Sequence, residues 1–431
     1  MFQNISMNAA LAGGISQWYE IGFRPERHIY GGIFMESYRF LLDIALILFS
    51  TKLLGLVTKK FQMPQVVGAL LAGLILGPAI FDVLKGTEFL IELSELGVVV
   101  LMFSAGMEAD LDELKKTGKA SFLIALLGVL VPLAGGFGVA WFFNRPGMIE
   151  SDAQASLMLQ NIFIGIILTA TSVSITVETL KEMKKINTAA GNAILGAAII
   201  DDILGIIALT IITSMKDTSV SLVLVLVKIV LFFLCSVVIG FLFYKLMVKL
   251  HERYKRDMRR YIILSFCLCL VMAYCAEKYF GVADITGAFV AGLIVSNTER
   301  TKYIASRFEV VSYSLLSPIF FASIGLKVVL PEMSAAIIIF ALVLVAVAVV
   351  TKIVGCGIGA KMCRFSNREA VQIGTGMVSR GEVALIVASK GAALGLMSSV
   401  ILGPVIIVVV VTTIISPVLL KLAFRPKKEK A

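Results

Sequence analysis

Charged residues are scarce in this sequence. Asp, Glu, Lys and Arg make up 16% of the 431 residues, and 58% of the residues are hydrophobic. Soluble domains, by comparison, are about 25% charged and about 45–50% apolar. No stretch of the chain is both long and polar enough to form a soluble domain. A soluble catalytic or binding protein is therefore excluded, and we expect the chain to act within a membrane or at its surface.

Cysteines are few, and their spacing matches no disulfide framework and gives only a weak metal signal. We expect all six to be reduced packing residues, because free cysteine is often buried. The alternating ten-residue segments of a membrane β-barrel are absent, and the first 36 residues lack the basic-then-apolar order of a cleaved signal peptide. The cysteines are Cys235, Cys267, Cys269, Cys275, Cys356 and Cys363.

Long hydrophobic runs are what the sequence has instead. Runs of eighteen or more apolar residues recur along the whole chain, and each can cross a hydrocarbon core of about 30 Å as a helix. We therefore predict an all-α integral membrane protein. The thirteen predicted transmembrane segments are approximately 37–57, 64–84, 90–108, 119–143, 158–182, 188–213, 220–248, 261–279, 281–297, 305–327, 334–360, 369–392 and 399–423.

The distribution of Lys and Arg predicts the orientation. Connections that follow the odd-numbered segments contain 26 of these residues, and the other connections, with the N-terminal segment, contain 7. Because positively charged loops stay in the cytoplasm, we place the N-terminus outside and the C-terminus inside. Residues 1–36 are then an extracytoplasmic segment, 37–423 a single membrane domain and 424–431 a basic cytoplasmic tail.

Two predicted segments are interrupted by small and hydroxyl-bearing residues. Residues 168–176 of the fifth segment read LTATSVSIT, and residues 374–382 of the twelfth read GTGMVSRGE. A repeat of six segments on either side of a linker helix would make these two equivalent and inverted, and paired breaks of this kind point to a transport site at the membrane midplane. We predict repeats over about 37–213 and 261–423, with the linker over about 220–248. Each break alone is also compatible with a Ser/Thr-rich packing face.

Two adjacent aspartates, Asp201 and Asp202, lie near the middle of the sixth segment. Each costs about 2.5–3.5 kcal/mol at a helix centre, and intramembrane carboxylates mark ion or proton pathways or face a partner. Neighbouring residues on a helix point about 100° apart, so we predict that one faces a water-filled cavity and the other a partner helix. Lys352, the only charged residue of the eleventh segment, is the expected partner. The alternative is a purely structural ion pair.

Arg380 and Glu382 flank a glycine in the broken twelfth segment. They could neutralise the ends of the half-helices, or they could neutralise each other. The sequence leaves a structural and a functional role equally open for both residues.

Seven motifs together resemble the monovalent cation:proton antiporter-2 family, that is, the NapA-like sodium/proton antiporters and their Kef-type relatives. The resemblance covers essentially the whole chain, and the motifs occur in the family's order. They are PQVVGALLAGLILGP (64–78), LGVVVLMFSAGMEADL (96–111), LTATSVSITVETL (168–180), GAAIIDDILG (196–205), GAFVAGLIVSN (287–297), SPIFFASIGL (317–326) and SRGEVALIVASKG (379–391).

The resemblance implies an NhaA/NapA-like fold. In that fold, thirteen-helix protomers form a homodimer, and a core domain with two crossing broken helices moves against a dimerisation domain in an elevator-like motion. The resemblance also implies a secondary transporter and not an enzyme, without a cofactor, which exchanges Na⁺, K⁺ or Li⁺ for H⁺ in a bacterial-type inner membrane. Expected partners are membrane lipids and a second copy of the chain, with no nucleic acid.

By position in the motifs, Asp202 corresponds to the family's ion-binding aspartate. Asp201 corresponds to the neighbouring acid and Lys352 to the lysine that pairs with it, while Thr171 and Ser172 correspond to residues beside the ion at the crossing. The Asp-Asp pair implies electrogenic exchange, typically two protons for one sodium ion. Some antiporters have an acid at the position of Ser172, so this chain departs from them in how the half-helix ends are compensated.

Two other functions remain open at this stage. One is a Kef-like potassium efflux pathway or its membrane subunit, although this chain ends at AFRPKKEKA without the nucleotide-binding domain of Kef systems. The other is a sodium-coupled symporter for an organic anion, against which the adjacent aspartates and Lys352 argue.

Overall fold

The computed structural model describes residues 38–425, except residues 62, 110, 146–147, 150–152, 215–220, 254–258 and 329–332. The predicted N-terminal segment 1–36 and all but the first two residues of the predicted tail 424–431 lie outside the described residues. The chain divides into two units, Met1–Leu46 and Ile47–Ala431. In the described part of the first unit, Arg39 and Asp43 form an ion pair one helical turn apart, at 3.9 Å.

Sixteen α-helices make up the regular structure of the described residues, together with short π-helical turns at Ala276–Phe280 and Ser312–Leu316 and a 3₁₀ turn at Ser399–Ile401. The helices are α1 (Arg39–Lys60), α2 (Gln65–Leu76), α3 (Glu88–Glu108), α4 (Leu111–Phe143), α5 (Leu157–Ile167), α6 (Val173–Glu182), α7 (Ala189–Ser214), α8 (Leu222–Arg253), α9 (Arg259–Cys275), α10 (Asp284–Ser296), α11 (Thr301–Val311), α12 (Ser317–Leu326), α13 (Ala335–Met362), α14 (Asn367–Gly376), α15 (Glu382–Ala393) and α16 (Leu402–Phe424).

Nine helical stretches within the described residues are long and apolar enough to cross a membrane, and three shorter apolar helices accompany them. The prediction of an all-α membrane protein is confirmed. Each of the thirteen predicted segments coincides with a helix or a pair of helices, while the count of thirteen membrane crossings stays a prediction. Helix α4 begins eight residues before its predicted segment, because hydropathy detects only the apolar part of a helix and its first turns contain charged residues.

Several helix starts follow from local sequence. The hydroxyl groups of Thr87, Ser156 and Ser334 each accept a hydrogen bond from the backbone N–H three residues later. Ser366 does the same and forms a reciprocal capping box with Glu369. Such caps satisfy N–H groups that have no partner inside the helix.

Paired glycines bring two sets of helices into close contact. In the packing of α2 against α12, Gly73 lies against Ala322 and Gly325 against Leu74; in the packing of α3 against α10, Gly106 and Gly292 face each other. Small residues let membrane helices approach this closely, so that van der Waals contacts can hold them together.

Several helices pack around α4, and they include α7 and α13, which contain Asp201 and Lys352. Helix α13 runs along α4, and both α7 and the half-helix α5 pack on it. Helices α14 and α16 also pack against α13. The chain leaves the helical conformation between α5 and α6 and again between α14 and α15, in the two segments that the sequence predicts to be broken.

We expect Gly106→Ala to destabilise the protein by about 1–3 kcal/mol, since a methyl group there would overlap the backbone of Phe289 and come 3.0 Å from the Cα of Gly292. The matched control is Gly138→Ala in α4, because no described atom lies within 4 Å of a Cβ at that position. Thermal unfolding of the purified protein measures both variants. Equal transition temperatures for the two variants would contradict the close-packing interpretation.

Candidate functional site

The two helix breaks are bonded directly to each other. The backbone N–H of Ser172 donates to the carbonyl of Ser379 at 2.8 Å, and the hydroxyl of Ser379 donates back to the carbonyl of Ser172 at 2.7 Å. The hydroxyl of Thr176 donates to the carbonyl of Gly376 at 2.6 Å. Interrupted helices leave buried backbone groups without their usual partners, and at this crossing each break supplies partners for the other.

Arg380 lies at the same crossing and is fully buried. Its guanidinium donates to the carbonyls of Leu168 at 2.6 Å and Val378 at 2.8 Å, just beyond the C-terminal ends of α5 and α14, and to Ala348 of α13 at 3.1 Å. Helix C-terminal ends carry partial negative charge. The geometry therefore allows Arg380 to compensate both half-helices. The side chain of Glu382 lies outside what the structure describes.

A buried ion pair lies beside the crossing. The ammonium nitrogen of Lys352 is 2.9 Å from Oδ1 of Asp201, and both side chains are almost completely buried. The same ammonium donates to the carbonyls of Gly128 and Thr169, both at 2.8 Å. The hydroxyl of Thr171 is buried in the same break and donates to the carbonyl of Thr169 at 3.5 Å. All three N–H groups of the lysine thus have an acceptor.

In this buried environment each charge of the ion pair depends on the other for compensation. Transfer of two charges out of water costs several kcal/mol per ion, and their attraction offsets the cost only when the geometry is good and the other polar contacts are made. Removal of one charge would leave the other buried without compensation.

Asp202 differs from its neighbour in exposure. Asp201 is 3% exposed, whereas Asp202 is only partly buried. The difference agrees with the rotation of about 100° between adjacent helical residues. One carboxylate therefore lies within the polar centre, and the other remains accessible.

The structure brings the predicted residues Asp201 and Lys352 into direct contact, and it buries Thr171 in the break whose Thr169 carbonyl accepts from Lys352. It places Ser172 in the crossing, where it is buried and its hydroxyl lies 3.2 Å from that of Ser174. It places Arg380 at the half-helix ends, and the functional role of each of these residues stays a prediction.

Sequence reasoning missed three polar residues of the crossing. Thr176 and Ser379 belong to the polar breaks noted in the sequence, yet their pairing across 203 residues has no sequence signal. The hydroxyl of Thr413 in α16 donates to the carbonyl of Arg380. Thr413 follows a run of valines, which gave no reason to assign it to the site.

Comparison with known proteins assigns the chain to a family. A family model described as sodium/hydrogen exchanger, transmembrane, matches residues 45–425. The chain belongs to the sodium/hydrogen exchanger family. It is accordingly a multi-pass membrane protein, which agrees with its apolar helices.

Two curated exchanger relatives match over most of the chain. The Na(+)/H(+)-K(+) antiporter GerN of Bacillus cereus is 37% identical over 392 residues, which cover 91% of this chain and 98% of GerN. The Na(+)/H(+) antiporter of Enterococcus hirae is 37% identical over 382 residues, covering 88% and 96% of the two chains.

A solved structure agrees with the exchanger fold. The sodium proton antiporter MjNhaP1 of Methanocaldococcus jannaschii superimposes with a TM-score of 0.64 and covers 89% of this chain and 96% of its own. The identity is 18%, so the likeness concerns the fold alone.

We expect Asp201→Ala to destabilise this exchanger by about 3–5 kcal/mol, because it leaves the ammonium of Lys352 buried without a counter-charge. The double variant Asp201→Ala/Lys352→Met should recover much of that loss, since no buried charge remains. Thermal unfolding in one detergent measures both. A double variant that is less stable than Asp201→Ala would contradict this account of the ion pair.

Proposed function

We propose that the chain is a secondary transporter that exchanges a monovalent cation, Na⁺ or also K⁺ or Li⁺, for protons. The observation that carries the proposal is the pair of adjacent aspartates at the crossing of two broken helices, one in a buried ion pair with Lys352 and the other accessible. Two relatives, GerN and the Enterococcus hirae protein, are named as antiporters of Na⁺ and H⁺, which supports the proposal.

In the proposed cycle, Asp202 binds the cation in one state and a proton in the other. While no cation is bound, Asp201 stays paired with Lys352. Entry of a cation draws the Asp201 carboxylate away from the ammonium, and Asp202 releases its proton as it binds the cation. Oxygen atoms of Thr171 and Ser172 would complete the cation's coordination, as they lie in the neighbouring break. The cation is the transported substrate, and the proposal includes no cofactor.

This scheme accounts for one proton per cation, the proton of Asp202. Electrogenic exchange, which the Asp-Asp pair implies, requires that a second proton leave from the Asp201–Lys352 pair when the cation enters. Two carboxylates close together cannot both remain ionised at low cost, so protons and the cation compete for the pair.

We further propose alternating access by an elevator-like movement of a core domain against a dimerisation domain, in a homodimer of thirteen-helix protomers. The paired glycine contacts support an inverted repeat, because the packing of α2 on α12 and that of α10 on α3 are exchanged by the predicted two-fold relation. The proposed repeats are about 37–213 and 261–423, joined by a linker helix over about 220–248.

Two polar contacts would have to break during such a movement. The backbone N–H of Gln65, at the start of α2, donates to a carboxylate oxygen of Glu182 at 2.8 Å. Lys181 lies 3.0 Å from Glu108, at the end of α3. Both contacts link the half-helix α6 to α2 and α3, so they break if the crossing moves relative to α2 and α3.

The protein is proposed to lie in the plasma membrane, surrounded by lipid, with the N-terminus outside and the C-terminus in the cytoplasm. The Lys and Arg counts of 26 and 7 in alternating connections support this orientation. Neither a nucleotide nor a nucleic acid is a proposed partner.

We expect Asp202→Asn to abolish cation-dependent proton movement in proteoliposomes, because the amide can neither bind and release a proton nor balance a cation. The assay is dequenching of a pH-sensitive dye with Na⁺, K⁺ and Li⁺ in turn. The matched control is Asp112→Asn, whose carboxylate is 82% exposed and lies 3.7 Å from Lys115. Undiminished proton movement in Asp202→Asn would rule out the assigned role, and cation passage without proton coupling in the unmodified protein would indicate a channel.

We expect Lys352→Met to change the charge moved per cycle and the pH profile while exchange persists. The methionine keeps most of the side-chain volume but removes the competitor for Asp201. Transient currents on solid-supported membranes measure the charge, and dye dequenching measures the exchange. An unchanged current with an unchanged pH profile would argue against a transport role for the ion pair.

A further inference from the structure

Lys352 donates to two backbone carbonyls, and each of them is available for a different structural reason. Gly128 lies inside α4, where its carbonyl would ordinarily accept a bond from the N–H four residues later. The residue four positions on is Pro132, which has no N–H to donate. The carbonyl of Gly128 is buried and has lost its helical partner, and the ammonium of Lys352 bonds to it at 2.8 Å.

The second carbonyl is available for a different reason. Thr169 lies in the break between α5 and α6, outside regular helix bonding, and its carbonyl also accepts from Lys352 at 2.8 Å. Two of the three hydrogen bonds of the ammonium are therefore independent of Asp201. One depends on the break, and the other depends on a single proline.

Glycine at position 128 is part of the same arrangement. A Cβ atom there would lie 2.6 Å from the sulfur of Cys356 and 3.7 Å from the ammonium nitrogen of Lys352. The absence of a side chain thus lets α13 bring Lys352 up to the α4 backbone at the point where the carbonyl is free.

From this geometry we infer that Pro132 is a positioning residue for Lys352: by freeing the carbonyl of Gly128, it holds the ammonium in place when Asp201 turns to the cation. The inference rests on the proposed exchange cycle. A buried ammonium without acceptors would be costly, and the carbonyl of Gly128 lowers that cost in the part of the cycle when the ion pair is open.

Among the described residues, three charged or titratable groups interact with Lys352 or with its partner Asp201. They are Asp201 itself on α7, Arg380 in the break before α15 and the Cys356 thiol one turn further along α13. Asp202 follows Asp201 on α7. The hydrogen bonds from α4 and from the break between α5 and α6 come from neutral carbonyls. A change at Pro132 therefore adds no charge and acts on Lys352 through one hydrogen bond.

The first test is the pH dependence of exchange in Pro132→Ala. Alanine restores an N–H that competes for the Gly128 carbonyl, so the ammonium is held less well beside Asp201. We expect the pH of half-maximal exchange to move in the same direction as in Lys352→Met, and we expect no further shift when Lys352→Met is also present. The matched control is Pro417→Ala, which changes the proline inside α16 and should leave the midpoint unchanged.

The second test is a thermal unfolding cycle that needs no transport activity. With Lys352→Met, the Gly128 carbonyl has no ammonium to accept from, so the N–H restored by Pro132→Ala should raise the transition temperature clearly. With Lys352 present, the same change should raise it much less or lower it. Coupling of this kind between two positions is what a double-mutant cycle detects.

The outcomes separate the inference from the proposed function. An absent pH shift, a shift opposite in direction to that of Lys352→Met, the same shift in both Lys352 backgrounds, or equal temperature changes in both backgrounds would overturn the role of Pro132 while leaving antiport intact. If the unmodified protein moves no protons with any of the three cations, the proposed function fails, and the unfolding cycle alone decides whether Pro132 acts through Lys352.

Discussion

The ammonium of Lys352 is removed from water, and this constraint organises the polar centre of the molecule. A charge in that position must find an acceptor for each of its three N–H groups. The acceptors come from α7, from α4 and from the break between α5 and α6. One charged group therefore ties α13 to three other parts of the chain, and only one of its three bonds is to an ion.

The crossing of the two breaks meets a similar constraint for the backbone. Four half-helices end or begin in the interior, where unpaired N–H and C=O groups are costly. Ser172 and Ser379 exchange backbone and hydroxyl bonds, and Arg380 bonds the carbonyls beyond the ends of α5 and α14. Because these contacts lie next to Lys352 and Asp201, the crossing holds the ion pair in a pre-formed polar environment.

Irregular backbone supplies carbonyl groups that accept hydrogen bonds from buried cations in this structure. Helix breaks provide the carbonyls of Thr169, Leu168 and Val378, and a proline inside α4 leaves that of Gly128 available. Lys352 and Arg380, which are both buried, bond to these carbonyls. In this part of the described chain, neutral dipoles thus hold much of the buried positive charge, and Asp201 supplies one further bond to Lys352.

Hydropathy was sufficient to predict the helices, since apolar residues in runs of membrane length have few alternatives to a spanning helix. The interruptions in the fifth and twelfth segments were also visible, because Gly, Ser and Thr replace apolar residues there. Hydropathy did not predict the start of α4 or the extension of α8 to Arg253, because charged helical turns outside the apolar run have no hydropathy signal.

The sequence by itself determined that this is a helical membrane protein with two adjacent aspartates in its sixth segment and a single lysine in its eleventh. These residues are easy to identify because a charged residue stands out within a long apolar run. The sequence could name Lys352 as a partner only because few charges were available to choose from. The family resemblance assigned Asp201, and not Asp202, to Lys352, and the structure has Asp201 as the buried member. The tertiary structure alone decided that Thr176, Ser379 and Thr413 belong to the crossing. These facts depend on the rotation of α7 and on contacts between residues up to 224 positions apart, and no local pattern of side chains encodes which backbone carbonyls a distant lysine will meet.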